Sequence, residues 1–128
     1  MGAGSRLGIT TIDKGDEMTN REKLEWAAKA CGYEAQYVCT VFNATDDKCE
    51  SYGFIVAGKH WRPHIDQADS DVMACKLRIG LGFFFGFVEA QTSDHTETAR
   101  HNNTDEDVCR AVREARLLVA AEIGRALP

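Results

Sequence analysis

The run Phe83-Phe84-Phe85-Gly86-Phe87-Val88 constrains this chain of 128 residues more than any other segment. It is apolar at both alternating positions, and a strand of that kind is stable only where each face is covered by helices or by another chain. The run is therefore expected to be the central strand of a sheet, with Thr92-Ser93-Asp94-His95 turning the chain and Thr96–His101 as its more polar outer partner. It is not a membrane span: the longest apolar stretch, Gly82 to Ala90, is broken by Glu89 and falls well below the roughly 18 residues that crossing requires.

Helices to cover such a strand are legible on both sides of it. Thr19-x-x-Glu22 is a capping box, followed by Leu24, Ala27, Ala28 and Cys31 at helical spacing up to Gly32, a natural C′ residue. Tyr37–Phe42 and Tyr52–Ala57 are β-branched and aromatic, and the Asn/Asp-rich stretch Asn43–Glu50 between them predicts a hairpin with a long loop. Pro63 excludes a helix through the residues before it, and Asp66, Asp69 and Ser70 offer N-caps to a second helix from about Asp69 to Ile79, stopped by Gly80-Leu81-Gly82. Thr104-x-x-Asp107 caps a third helix with Val108, Ala111, Val112, Ala115, Leu118, Val119 and Ile123 on one stripe. The expected fold class is α+β in the order α-ββ-α-ββ-α, a mostly antiparallel four-stranded sheet with helices packed on it as an α-β-α sandwich. Residues 18–128 are expected to form one domain. Residues 1–17 lack any period and read as a disordered tail or a translated leader, because Lys14-Gly15-Asp16-Glu17 before Met18 is encodable by purine-rich codons resembling a bacterial ribosome-binding site.

Charge and cysteine usage narrow the chemistry. With 20 Asp and Glu against 15 Lys and Arg the formal net charge is −5, which argues against a general phosphate-backbone binder. The five cysteines lie singly with no C-x-x-C pair, as expected of buried thiols in a reducing cytosol rather than of a zinc or redox site. The densest set of metal-capable side chains is His60, His64, Asp66 and Asp69, and a small metal-dependent hydrolase or nuclease would use it. Pro63 interrupts the helix that would align His60 with His64, however, and the two aspartates are equally accounted for as caps. Arg110, Arg113 and Arg116 form a second candidate, a basic stripe on the third helix for nucleic acid or an acidic partner, with acidic neighbours close enough to neutralise much of it. No phosphate loop, nucleophile elbow or H-E-x-x-H motif occurs, and no cofactor is implied.

Trp61-x-Pro63-x-x-Asp66-x-x-Asp69 leading to Lys76-Leu77, together with Ala120-Ala121-Glu122-Ile123-Gly124-Arg125-Ala126, resembles a family of small phage and prophage proteins of undefined function that carry a phage ABA-sandwich domain. The likeness spans roughly residues 20–127, with Arg62, Ala68 and Ser70 departing from the family pattern. It implies an α-β-α sandwich and a phage or prophage origin, and no activity. Within it Trp61 is expected as a core plug, Pro63 as a helix-start device, Asp66 and Asp69 as caps, and Ala120, Ala121 and Gly124 as close-packing positions. The leading expectation is thus a non-enzymatic phage accessory protein in the host bacterial cytoplasm, binding a protein partner or a second copy of itself. The metal-dependent hydrolase and the nucleic-acid binder are the alternatives, and neither a membrane nor nucleic acid is the expected partner.

Overall fold

A computed structural model describes residues 18–38 and 53–128. The tail or leader at residues 1–17, the end of the first predicted strand and the Asn43–Glu50 connection lie outside the described residues. The order of elements is α1 (Asn20–Cys31), β1 (Ala35–Val38), β2 (Gly53–Val56), β3 (Lys59–Trp61), α2 (Gln67–Leu77), β4 (Gly80–Phe84), β5 (Phe87–Gln91), β6 (Thr96–Arg100) and α3 (Asp105–Ala126). The α+β class holds, but the strands form two antiparallel three-stranded sheets, β1-β2-β3 and β4-β5-β6, in place of one four-stranded sheet.

Two short turns cause that difference. Ala57 (φ 52°) and Gly58 (φ 80°) are both left-handed, the geometry of a two-residue turn whose twist matches the flanking strands. Lys59–Trp61 therefore folds back on β2, with Val56 opposite Lys59 and Phe54 opposite Trp61. The phenylalanine run is likewise no single strand. Gly86 adopts φ 86°, so the chain reverses at Phe85-Gly86 and pairs Phe84 with Phe87. The central strand is β5, Phe87–Gln91, and not the Phe83–Val88 run expected there, whose Phe83 and Phe84 are on the edge strand β4; β6 is the outer partner, as expected.

Helix ends follow local chemistry. The Thr19 hydroxyl accepts from Glu22 N–H at 3.1 Å while the Glu22 carboxylate accepts from Thr19 N–H at 2.9 Å, and Gly32 (φ 78°) closes α1. Asp66 caps α2, accepting from Ala68 and Asp69 N–H groups at 2.9 and 3.2 Å. That helix starts two residues before the expected Asp69 and ends on Arg78 in the left-handed region (φ 59°), so Gly80 opens β4 instead of stopping the helix. Thr104 caps α3.

One core joins the elements. It is built from Leu24, Ala27 and Ala28 of α1, Phe54 and Trp61 of the first sheet, Met73 of α2, Val88, Ala90 and Ala99 of the second sheet, and Ala111, Ala115, Leu117, Val119 and Ala120 of α3. On α3 it is Leu117, not Leu118, that is buried. The α1 and α3 helices share the most extensive contact, close enough that a Cβ on Gly124 would lie 1.8 Å from the Trp26 carbonyl oxygen. Trp61 is buried edge-on against Tyr33 (5.6 Å, 85°), and Pro63 is fully buried. The second sheet buries only one face: Val88, Ala90 and Ala99 meet α3, whereas Phe84, Phe87, Gln91, Thr96, Thr98 and Arg100 on the other face are exposed. Among the described residues the sheet is therefore covered on one side, a departure from a sandwich with helices on both.

Candidate functional site

The residues of the His60–Asp69 segment do not converge. His60 is exposed on β3, opposite Ile55. His64 lies in the turn before α2, and burial first, then the charges of Arg62 and Arg113, lower its pKa from 6.5 to about 4. Its imidazole is thus neutral at neutral pH. Asp66 faces the first turn of α2, and an Asp69 carboxylate oxygen accepts from Arg62 N–H at 2.8 Å, closing the turn that Ile65 and Asp66 also fasten to the Arg62 carbonyl. Asp66 thereby accepts from backbone N–H groups released at a helix start, whereas Asp69, expected as a second cap, lies within α2 and instead holds the backbone of the preceding turn. Among the described residues no group of three or more His, Cys, Asp or Glu side chains is arranged to hold a metal ion.

The arginines of α3 are spent on the protein itself. Arg110 donates to Asp107 at 2.7 Å, to the Arg100 carbonyl at 2.6 Å and to Glu114. Arg113 donates to the His64 carbonyl at 3.2 Å and to Gln67 Oε1 at 3.1 Å, while Arg116 donates to Asp71 at 2.6 Å and Ser70 Oγ at 3.3 Å. Arg113 and Arg116 therefore tie α3 to the start of α2. A cleft of about 440 Å³ between α1, the His64 turn and α3 contains Lys23 and Arg110, but Glu114 in the same wall pairs with Arg110. The stripe expected from spacing has no shared outward face of unpaired guanidinium groups.

Cysteine placement is mixed. Cys31 is buried at the end of α1, which raises its thiol pKa to about 11, whereas Cys75 and Cys109 are exposed on α2 and α3. The expectation that the thiols are core hydrophobes is corrected for those two. Cys39 and Cys49 lie outside the described residues.

The feature that periodicity missed is the tip of the second sheet. Phe83, Phe84, Phe85 and Phe87 are 64%, 48%, 90% and 36% exposed. Phe84 and Phe87 stack at 4.7 Å and 9°, and the Phe84 ring lies over Gly82, where a Cβ would approach it to 3.0 Å. The tip is held in place: Gly86 N–H donates to Asn103 Oδ1 at 2.8 Å, and the Gly86 carbonyl accepts from His101 N–H at 3.0 Å. The hairpin is thus a fixed apolar projection. Its sequence signal was Gly86 inside the run, the one residue there that takes a left-handed turn without steric cost.

No family model, curated protein or solved structure matches this chain. Among the described residues no helix is long and apolar enough to cross a membrane.

Proposed function

We propose that this chain is a non-enzymatic protein-binding module whose contact surface is the β4–β5 hairpin. The observation that carries the reading is the exposure of Phe83, Phe84, Phe85 and Phe87 around the hairpin tip, Phe84 and Phe87 on the open face of the sheet and Phe83 on the opposite one. At roughly 200 Å² for a whole phenylalanine, these side chains leave about 480 Å² of aromatic surface in water, within the range of the largest patch on a typical monomer and often functional. Burying it at about 25 cal/mol per Å² is a favourable term large enough to drive association, before the ordering costs are met. The anchoring of Gly86 to Asn103 and His101 supports the same reading, because a surface already fixed loses little further freedom on binding. The phage or prophage accessory role and the bacterial host cytoplasm belong to this proposal, supported by the resemblance of residues 61–77 and 120–126.

The test is site-specific photo-cross-linking of the full chain in bacterial cytosol, with a photoreactive phenylalanine analogue replacing Phe83 or, as a control on the polar part of the same sheet, Thr96. Discrete adducts from position 83 and none from position 96 are expected. Equal yields from both positions, or no adduct from either, would overturn the reading.

A further inference from the structure

We propose that the occupant of this surface is a second copy of the chain, joined by antiparallel pairing of β4 with β4 about a two-fold axis through Gly82. The inference rests on the hairpin reading above and specifies its partner. Phe84 and Phe87 flank the two-residue turn and so form a mutually hydrogen-bonded pair. Alternation along the ladder then turns the N–H and C=O groups of Gly80, Gly82 and Phe84 toward β5, and those of Leu81 and Phe83 toward the outer edge. Among the described residues no strand pairs with that edge.

Those outward groups fit a copy of themselves. With Gly82 on the axis, Leu81 stands opposite Phe83 of the copy and Phe83 opposite its Leu81, so the residues with outward backbone groups meet one another. On the open sheet face Phe84 stands opposite Gly80 of the copy, a position with no side chain to oppose the ring. The two edges of the sheet also differ in charge. β6 carries Glu97 and Arg100, the kind of edge that resists strand addition, whereas Gly80-Leu81-Gly82-Phe83-Phe84 has neither charge nor proline. An uncharged edge lets two chains of net charge −5 meet without opposing like charges at the contact. Area sets the expected strength. Phe83 and Phe84, the two rings on the pairing strand, expose about 220 Å² per copy, so a dimer covers at most about 450 Å² of aromatic surface, under half of the roughly 1,200 Å² at the small end of specific interfaces. The backbone hydrogen bonds of the paired edges add to that contact, and its small area points to a weak, concentration-dependent dimer.

Sedimentation over a concentration series, with hydrogen exchange on the same samples, tests this. The mass is expected to double with concentration while the Leu81 and Phe83 amides slow by about tenfold or more and Gly82, already paired with β5, does not change. Phe83→Lys puts two like charges beside the axis and is expected to weaken the dimer about a hundredfold, whereas Thr98→Lys on β6 leaves it within about twofold. Far-UV circular dichroism checks that each variant folds. If Phe83→Lys does not fold, the exchange pattern of the unaltered chain decides. A chain that stays monomeric at every concentration overturns self-pairing. Cross-links from position 83 to a different protein would then leave the hairpin reading standing, and their absence would remove both. A dimer that survives Phe83→Lys, or protection that rises on β6 instead of β4, overturns the assignment to this edge.

Discussion

His64 shows how one buried side chain couples the turn before α2 to pH. Burial and the neighbouring charges of Arg62 and Arg113 depress its pKa to about 4, whereas the unfolded chain titrates near 6.5. Between those values the unfolded chain binds a proton that the folded chain does not, so stability falls as pH drops through that window and is fully present above it. Discounted for partial exposure, the loss attributable to His64 is roughly 2 kcal/mol. Urea unfolding across this window is expected to show that excess loss in the unaltered chain and not in His64→Gln; equal pH dependence in both would contradict it. The same turn rests on Arg113, whose guanidinium donates to the His64 carbonyl, so the positive charge that depresses the imidazole also helps to hold its backbone.

At the scale of elements, the α1–α3 pair depends on a missing side chain. Gly124 is helical and needs no unusual φ; what it provides is room, because a Cβ there would meet Trp26 carbonyl oxygen and carbon at 1.8 and 2.6 Å. Neither is the end of a flexible side chain, so the helices themselves must part. Gly124→Ala gains helix propensity but is expected to lose about 3 kcal/mol net, read as a lower urea midpoint, as overpacked cores commonly do. Arg125→Ala, one residue on and exposed, should stay within about 0.5 kcal/mol. The hairpin is the opposite case. There a glycine supplies backbone freedom, with Gly86 at φ 86° turning a run that hydrophobicity alone would have extended.

For the whole molecule, the core is continuous from Trp61 and Phe54 through Leu24 and Met73 to Val88 and Ala99, so neither small sheet holds a core of its own. A three-stranded sheet with few residues per strand gains most of its stability from packing on a helix. The described elements are therefore expected to unfold together. Intrinsic fluorescence, reporting Trp61 beside the first sheet and Trp26 beside α3, should give the same thermal midpoint as far-UV circular dichroism. Separate midpoints would mean that the β1–β3 sheet is an independent unit.

What the amino-acid order determined by itself is what short-range chemistry settles: the Thr19–Glu22 box, the Asp66 and Thr104 caps, the span of α3, and the turn Thr92–His95, whose ends pair at 2.8 Å. Each depends on groups within a few residues of one another, so spacing suffices to find it. Tertiary structure alone decided which apolar residues are covered, and that changed the candidate site. Phe83–Val88 carries the same hydrophobicity whether it runs straight between two helix layers or turns back at Gly86 with one face in water. The spacing of Arg110, Arg113 and Arg116 cannot reveal that the second and third reach Gln67, Ser70 and Asp71, more than forty residues away in the chain. Periodicity records which side of an element is apolar; what lies opposite that side depends on contacts between segments remote in sequence, and no local pattern encodes them.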